Sequence, residues 1–354
     1  MMKKEKIHIS AIREIEYELS NVKIDSVTTI NQLLCMSLYQ GIYCGDYLNG
    51  TLIQKIKLKL RLVELKIKFK NLDFKPKINK SFNIKNLDGL IAFSFNREDL
   101  ISLSAIVMKR LMNDYKKIQP IIFEQSILKS KSLRSHLGIN DFNFFEIDDI
   151  LSFYDTQWYE KYYDQIILAE NILTEKCKEY GILNAFLIDN LKFDIRKQII
   201  SYTSCLKFLE ITKPKFILVE SDRNNKSSPL VMASKKLFIP SFSLMHGNVG
   251  FDFGYVPILA DQILVWGLDQ KNKLIRLGAD RSQIQITGAP QFSKNIKGNK
   301  EQILEQLKIE PNKKIIMLAT SNYKDISMRM KLADIFFNSL KNLSKNEWHG
   351  IIKM

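Results

Sequence analysis

The run Phe216-Ile217-Leu218-Val219-Glu220-Ser221-Asp222-Arg223 decides how the rest of the chain is read. Four apolar residues, too few for a helix, end abruptly in a cluster of small and charged side chains. The same pattern recurs between Pro214 and Phe292: Phe242-Ser243-Leu244-Met245 runs into His246-Gly247-Asn248, Gln262-Ile263-Leu264-Val265-Trp266 into Gly267, and Ile284-Gln285-Ile286-Thr287 into Gly288-Ala289-Pro290. Short apolar runs bounded by Gly and Pro and separated by helix-length segments predict buried strands of a parallel sheet. Ligands of such sheets collect where the strands end, and that is where the polar clusters fall. The connections agree. Ser228-Pro229 offers a cap and a first-turn proline, Pro240 stops the chain before the next strand, and Asp269 caps a helix that Gly278 ends.

Outward from this block, Leu90 to Phe95 reads as the first strand. Asn96-Arg97-Glu98-Asp99 and a helix to roughly Lys116 follow, with Leu100, Leu103, Val107 and Leu111 at helical spacing. Pro120 precedes the next strand, Ile121-Ile122-Phe123, which completes a βαβ unit. Glu146-Ile147-Asp148-Asp149 reads as a polar loop before a helix, since no strict Asp-x-Asp occurs in the chain. A helix is expected from Gln157 to Tyr180, ended by Gly181 and carrying Ile166, Ile167, Ile172 and Leu173 on one face. Ile182 to Ile188 reads as a loop or short strand, and Lys192 to Glu210 as a further helix. The aromatics of Trp158 to Tyr163, like Trp266, read as packing residues.

Residues 1–85 read as a separate basic helical extension. Within it Leu52 to Lys70 fits a helix with Ile56, Leu60, Val63 and Ile67 on one side, suited either to anionic lipid or to packing with its lysines in water. Lys75 to Asn86 is the linker to a Rossmann-like domain over 86–295. In 296–354, Asn299 and Gln302 form a capping-box pattern opening a helix to Leu307. Then come a strand at Lys313 to Ala319, the polar turn Thr320-Ser321-Asn322, a helix at Ile326 to Leu340 and a strand at His349 to Lys353. One βαβ unit cannot bury both faces of a parallel sheet. The expectation is therefore the beginning of a second, incomplete Rossmann-like domain.

Bulk properties narrow the function. The 354 residues are 45% hydrophobic and 26% charged, ordinary for a globular protein with a real core, and carry a net charge of +15. Only ten of the 53 basic residues are Arg, and Arg clusters interleaved with aromatics are missing. That argues against nucleic acid and leaves two readings of the excess charge, an anionic membrane surface as partner or a Lys-, Asn- and Ile-rich composition that reflects A+T-rich coding alone. Cys35, Cys44, Cys177 and Cys205 form no C-x-x-C pair and have no His at ligand spacing, so neither disulfides nor a metal site is expected. Met1 to Lys6 is basic but leads into charged residues rather than a signal core, and no run approaches the roughly 20 apolar residues of a membrane span. The expected location is cytoplasmic, with peripheral contact at the inner face of the membrane.

His246 at a strand end, followed by Gly247, Gly250 and Gly254, is placed to hydrogen-bond a phosphate or sugar hydroxyl or to move a proton. The alternative is a histidine that holds a loop. Glu220 and Asp222 alternate past a strand, so at most one should face a cleft, and each could equally pair with Arg223 or cap the Ser228 helix. Glu98 and Asp99 follow the first strand in the same way. Hydroxyls at Thr320 and Ser321, between strand and helix, suit a phosphate.

Four units in order, Val219-Glu220-Ser221-Asp222, the Ile-Pro…His-Gly of Ile239 to Gly247, the Ala-Asp…Trp-Gly of Ala260 to Gly267 and the Gly-x-Pro of Gly288 to Pro290, give residues 86–354 a recognisable outline. The chain resembles the amino-terminal half of GT-B-fold glycosyltransferases of bacterial surface and capsule polysaccharide synthesis, close to the glycerophosphotransferase group. The resemblance implies transfer from a nucleotide-activated sugar or polyol to a glycan or lipid-linked acceptor, without cofactor or metal. It makes Asp222, Glu220, His246 and Asp99 the catalytic candidates, Gly247 and Asn248 substrate contacts, Thr320 and Ser321 diphosphate contacts, and Gly288 and Pro290 a hinge. Two other functions fit the same outline: a nucleotide-sugar 2-epimerase, which needs no acceptor, and a truncated, non-catalytic relative that binds a membrane, a glycan or a partner subunit.

Overall fold

The computed structural model describes residues 2–43, 85–131, 133, 144–153, 157–247, 249, 254–290, 299–319 and 326–353. The chain divides into two compact units, Met1–Gln291 and Phe292–Met354.

The first unit is built on seven parallel strands: β1 (Gly89–Phe93), β2 (Ile118–Ile122), β3 (Phe145–Glu146), β4 (Ile217–Val219), β5 (Ser241–Leu244), β6 (Gln262–Val265) and β7 (Ile284–Ile286). They lie in the order β3-β2-β1-β4-β5-β6-β7. Alternate residues of the central strands enter two separate cores. Leu90, Ala92, Ile217, Val219, Ile263 and Val265 face one, whereas Ile91, Phe93, Ile122, Leu218 and Leu244 face the other. A sheet buried on both faces explains why the strand runs are continuously apolar rather than alternating.

Helices α1 (Met2–Ser20) and α2 (Ile30–Leu38) come first. After them follow α3 (Glu98–Asp114), the short α4 (Ile147–Leu151) and α5 (Trp158–Lys161), then α6 (Tyr163–Glu179), α7 (Ala185–Thr212), α8 (Ser228–Lys236) and α9 (Leu268–Arg276). The α3 residues Ile101, Ala105 and Met108 cover the second face. The first face is covered by α6, α7 and α8, through Ile166, Leu173, Ile195, Phe208, Leu230 and Val231. This is an α/β, Rossmann-like sandwich of three layers.

Helices α1 and α2, set apart by the sequence reading as part of an extension, belong to this same unit. Ala11, Ile12, Ile15, Leu19, Leu33, Leu34 and Leu38 are buried in the first core. Glu14 of α1 accepts from Lys176 at 2.6 Å and from the Tyr180 hydroxyl, and Asp25 and Thr28 meet the buried hydroxyl of Tyr202. The segment Leu52 to Lys70 lies outside the described residues.

Several boundaries differ for identifiable reasons. Pro120 sits within β2, paired with Ile91, rather than ahead of it. The β3 side of β2 is paired only at Ile121 and Ile122, so the missing N–H of Pro120 interrupts no ladder there. Glu146 joins the sheet, and Asp149 caps its N–H at 2.8 Å to start α4. Helix α7 begins at Ala185 instead of near Lys192 because Asn184 accepts from the N–H of Leu187 at 3.1 Å. Ser227, not Ser228, is the cap position of α8, with Pro229 in its first turn.

Close approach is decisive at Gly89. A Cβ there would lie 2.5 Å from the ring of Phe216, which is itself packed edge-on against Tyr115 and Phe242. Gly89→Ala is expected to cost about 2 kcal/mol, read as a lower urea midpoint at unchanged slope. Wild-type stability in that variant would show that the aromatic group yields freely.

The second unit holds α10 (Lys300–Gln306), β8 (Lys314–Ala319), α11 (Ile326–Leu340) and β9 (Trp348–Lys353). β8 and β9 pair in parallel through six residue pairs, so the unit is one βαβ crossover. Asn299 caps α10 through Glu301 N at 3.0 Å. Ile315, Ile316 and Met317 of β8 remain exposed, because two strands and one long helix do not enclose both faces of a sheet. Thr320 and Ser321 lie outside the described residues.

Candidate functional site

The crossover helix after β1 lies on one face of the sheet and that after β4 on the other, so the gap between these neighbouring strands is the topological switch point, where open α/β sheets take their ligands. Glu220, the residue after β4, fills this gap. Its Oε2 accepts from the backbone N–H of Ser94 at 2.7 Å and of Phe95 at 2.9 Å, and its Oε1 accepts from the Ser104 hydroxyl at 3.1 Å. The turn after β1 is thus capped by a carboxylate of the protein itself. Burial raises the Glu220 pKa to about 7, against the opposing pull of the two amides and the hydroxyl, so the group changes charge near neutrality.

Asp222 is equally buried. Its Oδ2 accepts from Leu259 N at 2.7 Å and Ala260 N at 2.9 Å, which fixes the segment leading into β6. Desolvation pushes its pKa up, against the two amides and the Arg223 charge. Arg223, 1% exposed, reaches Pro257 O at 3.3 Å and Glu16 of α1 at 3.4 Å. Both carboxylates hold backbone, Glu220 that of Ser94 and Phe95 and Asp222 that of Leu259 and Ala260, in keeping with the reading that at most one of them faces a cleft.

Around them the turns after β1 and β4 are tied together. The hydroxyls of Ser94 and Ser227 lie 3.0 Å apart, and Lys226 reaches Ser94 O at 3.3 Å and forms an ion pair with Glu124. Glu98 accepts from the Ser130 hydroxyl at 2.8 Å and from Lys131 N at 3.0 Å, so it holds the segment after β2. Asp99 is exposed and pairs with Arg97 at 2.6 Å.

His246 follows β5 at the same end of the sheet. Its ring lies between two aromatic groups, Tyr255 stacked at 5.0 Å and 27° and Phe95 tilted at 5.6 Å. Its Nδ1 is buried and has no hydrogen-bond partner among the described residues. Burial holds the imidazole pKa below its ordinary value, with the carbonyls of Leu244 and Glu220 acting against that. The ring is therefore neutral at pH 7 and able to take up a proton. Gly247 lies beside it, and among the described residues a Cβ there would meet the Tyr255 hydroxyl at 3.6 Å, an ordinary contact. Its carbonyl accepts from Gln270 Nε2 at 3.4 Å, and Gln270 in turn accepts from Trp266 N at 2.7 Å. Trp266 is half-buried and donates from its indole N–H to Met245 O at 3.0 Å, which fixes the turn carrying His246.

The structure thus brings Glu220, His246 and Gly247 to one end of the sheet, directs Asp222 to the backbone before β6, and leaves Asp99 in solvent. Asn248 lies outside the described residues. Phe95 and Tyr255, which flank the imidazole, escaped the sequence reading. Cys177 and Cys205 are free and buried, with burial raising both thiol pKa values. Among the described residues no group of three His, Cys, Asp or Glu converges as a metal site.

No protein-family model matches the chain, and no curated protein matches it. Solved structures similar to it include two UDP-N-acetylglucosamine 2-epimerases. The UDP-GlcNAc 2-epimerase from Neisseria meningitidis bound to UDP-GlcNAc has 12% identity and a TM-score of 0.40 over 75% of this chain. The UDP-N-acetylglucosamine 2-epimerase from Rickettsia bellii has 17% identity and a TM-score of 0.36 over 75% of this chain. The chain spans 65% of the length of the first and 68% of the second.

Proposed function

We propose that the chain carries the acceptor-side, Rossmann-like part of a GT-B-type transferase acting on nucleotide-activated sugars or polyols, with His246 as its general base. The observation that carries the reading is the neutral imidazole at the carboxyl end of β5, buried between Phe95 and Tyr255 with an unmatched Nδ1. A buried ring nitrogen without a protein partner is costly unless another group bonds to it, and an acceptor hydroxyl entering beside Gly247 would supply that group. The imidazole takes the hydroxyl proton as the acceptor oxygen forms its new bond: with a sugar donor to the anomeric carbon, whose bond to the nucleoside diphosphate breaks, and with a polyol donor to the distal phosphorus, whose bond to the nucleoside monophosphate breaks, the leaving group in each case taking the electron pair. Glu220 and Asp222 support this site by fixing backbone. The four motif units of residues 219–290 favour the same class.

The test uses the full chain, a panel of nucleotide-activated sugars and polyols, and glycan or lipid-linked acceptors, with and without chelator. Transfer that survives chelator is expected; transfer strictly dependent on a divalent ion would count against the proposal. Incubation with sugar nucleotide alone separates the nearest competitor. An isomerised sugar nucleotide would assign 2-epimerisation, the reaction named for both similar structures. Absence of transfer, isomerisation and donor binding by calorimetry would leave a binding role.

A further inference from the structure

We propose, on the reading of His246 as the base, that Gln270 and Trp266 are its positioning residues: they hold the carbonyls on either side of it and so keep the imidazole between Phe95 and Tyr255. β5 ends at Leu244. Met245 extends the ladder by one bond, from its N–H to Leu264 O at 3.0 Å, and its own carbonyl accepts from the Trp266 indole N–H at 3.0 Å. On the far side of His246, the Gly247 carbonyl accepts from Gln270 Nε2 at 3.4 Å. Gln270 Oε1 accepts from Trp266 N at 2.7 Å. The two carbonyls that flank the base are thus joined through one pair of side chains from the turn after β6.

The residue types fit this role better than they fit the start of α9 alone. Gln270 is the third residue of α9, where a glutamine or glutamate ordinarily reaches back to the N–H of the cap residue. Glutamate would serve that end as well, and its charge would favour the helix start. An amide is needed only where one side chain must accept from Trp266 N and donate to Gly247 O at once, because a carboxylate has no proton to donate. Gln270 is 8% exposed, so water does not readily replace a partner it loses. At Trp266 a phenylalanine could pack, but the indole alone among apolar rings brings an N–H to Met245 O. The ring they aim is stacked on Tyr255 at 5.0 Å and tilted against Phe95 at 5.6 Å. Such pairing tolerates little rotation of the intervening backbone.

The experiment is NMR of the full chain labelled at its 4 histidine rings, with His246→Ala assigning the resonance. In the wild type the His246 ring protons should be shifted upfield by stacking and titrate below the ordinary histidine value. Gln270→Met and Trp266→Phe each remove a donor to one flanking carbonyl. Both should weaken the upfield shift and raise the titration point toward that of free histidine, as the ring leaves its slot and meets water. The charged groups that act on the ring, Arg97 and Asp99, are the same in every protein compared and do not produce the difference. Asn184→Ala, which removes the cap of α7, lowers stability and should leave the resonance in place, so lost stability alone does not account for a shift. In the transfer assay kcat should fall roughly tenfold or more in both clamp variants, with KM changed far less. A resonance that stays in place in whichever of the two variants folds overturns the proposal, as does a wild-type ring without the stacking shift or one that Asn184→Ala moves equally. A moved resonance with unchanged turnover upholds the clamp and removes His246 as the base, so the two failures are told apart.

Discussion

Replacing Glu220 by alanine is expected to destabilise the protein by about 4 kcal/mol, whereas replacing it by glutamine is expected to leave the fold intact. The alanine variant strands three buried donors, the N–H groups of Ser94 and Phe95 and the hydroxyl of Ser104. Each unsatisfied buried group costs about 1–3 kcal/mol. Glutamine keeps an oxygen for the two amides and turns its NH2 toward Ser104, whose hydroxyl can accept as well as donate. The two variants also separate by pH. The folded-state pKa of Glu220 is raised to about 7 from the ordinary glutamate value of 4.5, so between these values the folded protein holds a proton that the unfolded chain has released. Stability carried by that proton is fully present below the lower value and is lost as pH rises through the upper one, a difference on the order of 3 kcal/mol. Glutamine cannot ionise. Urea midpoints compared from about pH 5 to about pH 8 should therefore show Glu220→Gln gaining on the wild type as pH rises. If glutamine proves as damaging as alanine, or if the difference between glutamine and wild type is flat with pH, the capping account of Glu220 is wrong.

This residue also shows where sequence reading stops. The strand ends were legible because apolar runs of four residues closed by Gly, Pro or charge have few other physical solutions, and from them the α/β class and the alternation of strands and helices followed. Glu220 and Asp222 were legible as unusual. Their roles were not, because the amides they cap lie 126 and 125 residues upstream for Glu220 and 37 and 38 residues downstream for Asp222. Only the strand order brings those segments together. The same holds for Tyr255 and Phe95, ordinary aromatics in sequence that meet His246 from a later segment and from the neighbourhood of β1. Ile12, Ile15 and Leu19 stand at helical spacing and are buried in α1, but the sequence reading did not use that signal. The basic character of the first 85 residues, which led the reading toward a separate extension, masked it. Local signals fared best at helix ends, where Gly181 and Gly278 take the left-handed conformation after α6 and α9.

His246→Ala is the second change expected to have a large effect, on rate rather than on stability. Removing a positioned general base costs roughly 10²–10⁴ in turnover. In the proposed transfer the loss should fall on kcat more than on KM, because the imidazole acts on a proton while other groups bind the donor. The pH profile makes the assignment specific. Burial holds His246 below the ordinary histidine value, so activity should stay high at neutral pH and decline only on the acid side, below the pH at which free imidazole titrates. The aromatic pair keeps water from the ring, with Tyr255 stacked at 5.0 Å and itself only 7% exposed. Tyr255→Ala opens that side, rehydrates the imidazolium form and should move the acid limb of the profile to higher pH. Circular dichroism and the melting temperature establish that each variant is folded before its rate is compared. An acid limb that stays in place when Tyr255 is removed, or a His246→Ala protein that retains wild-type turnover, would shift the base to another group and leave His246 as the residue that holds its turn.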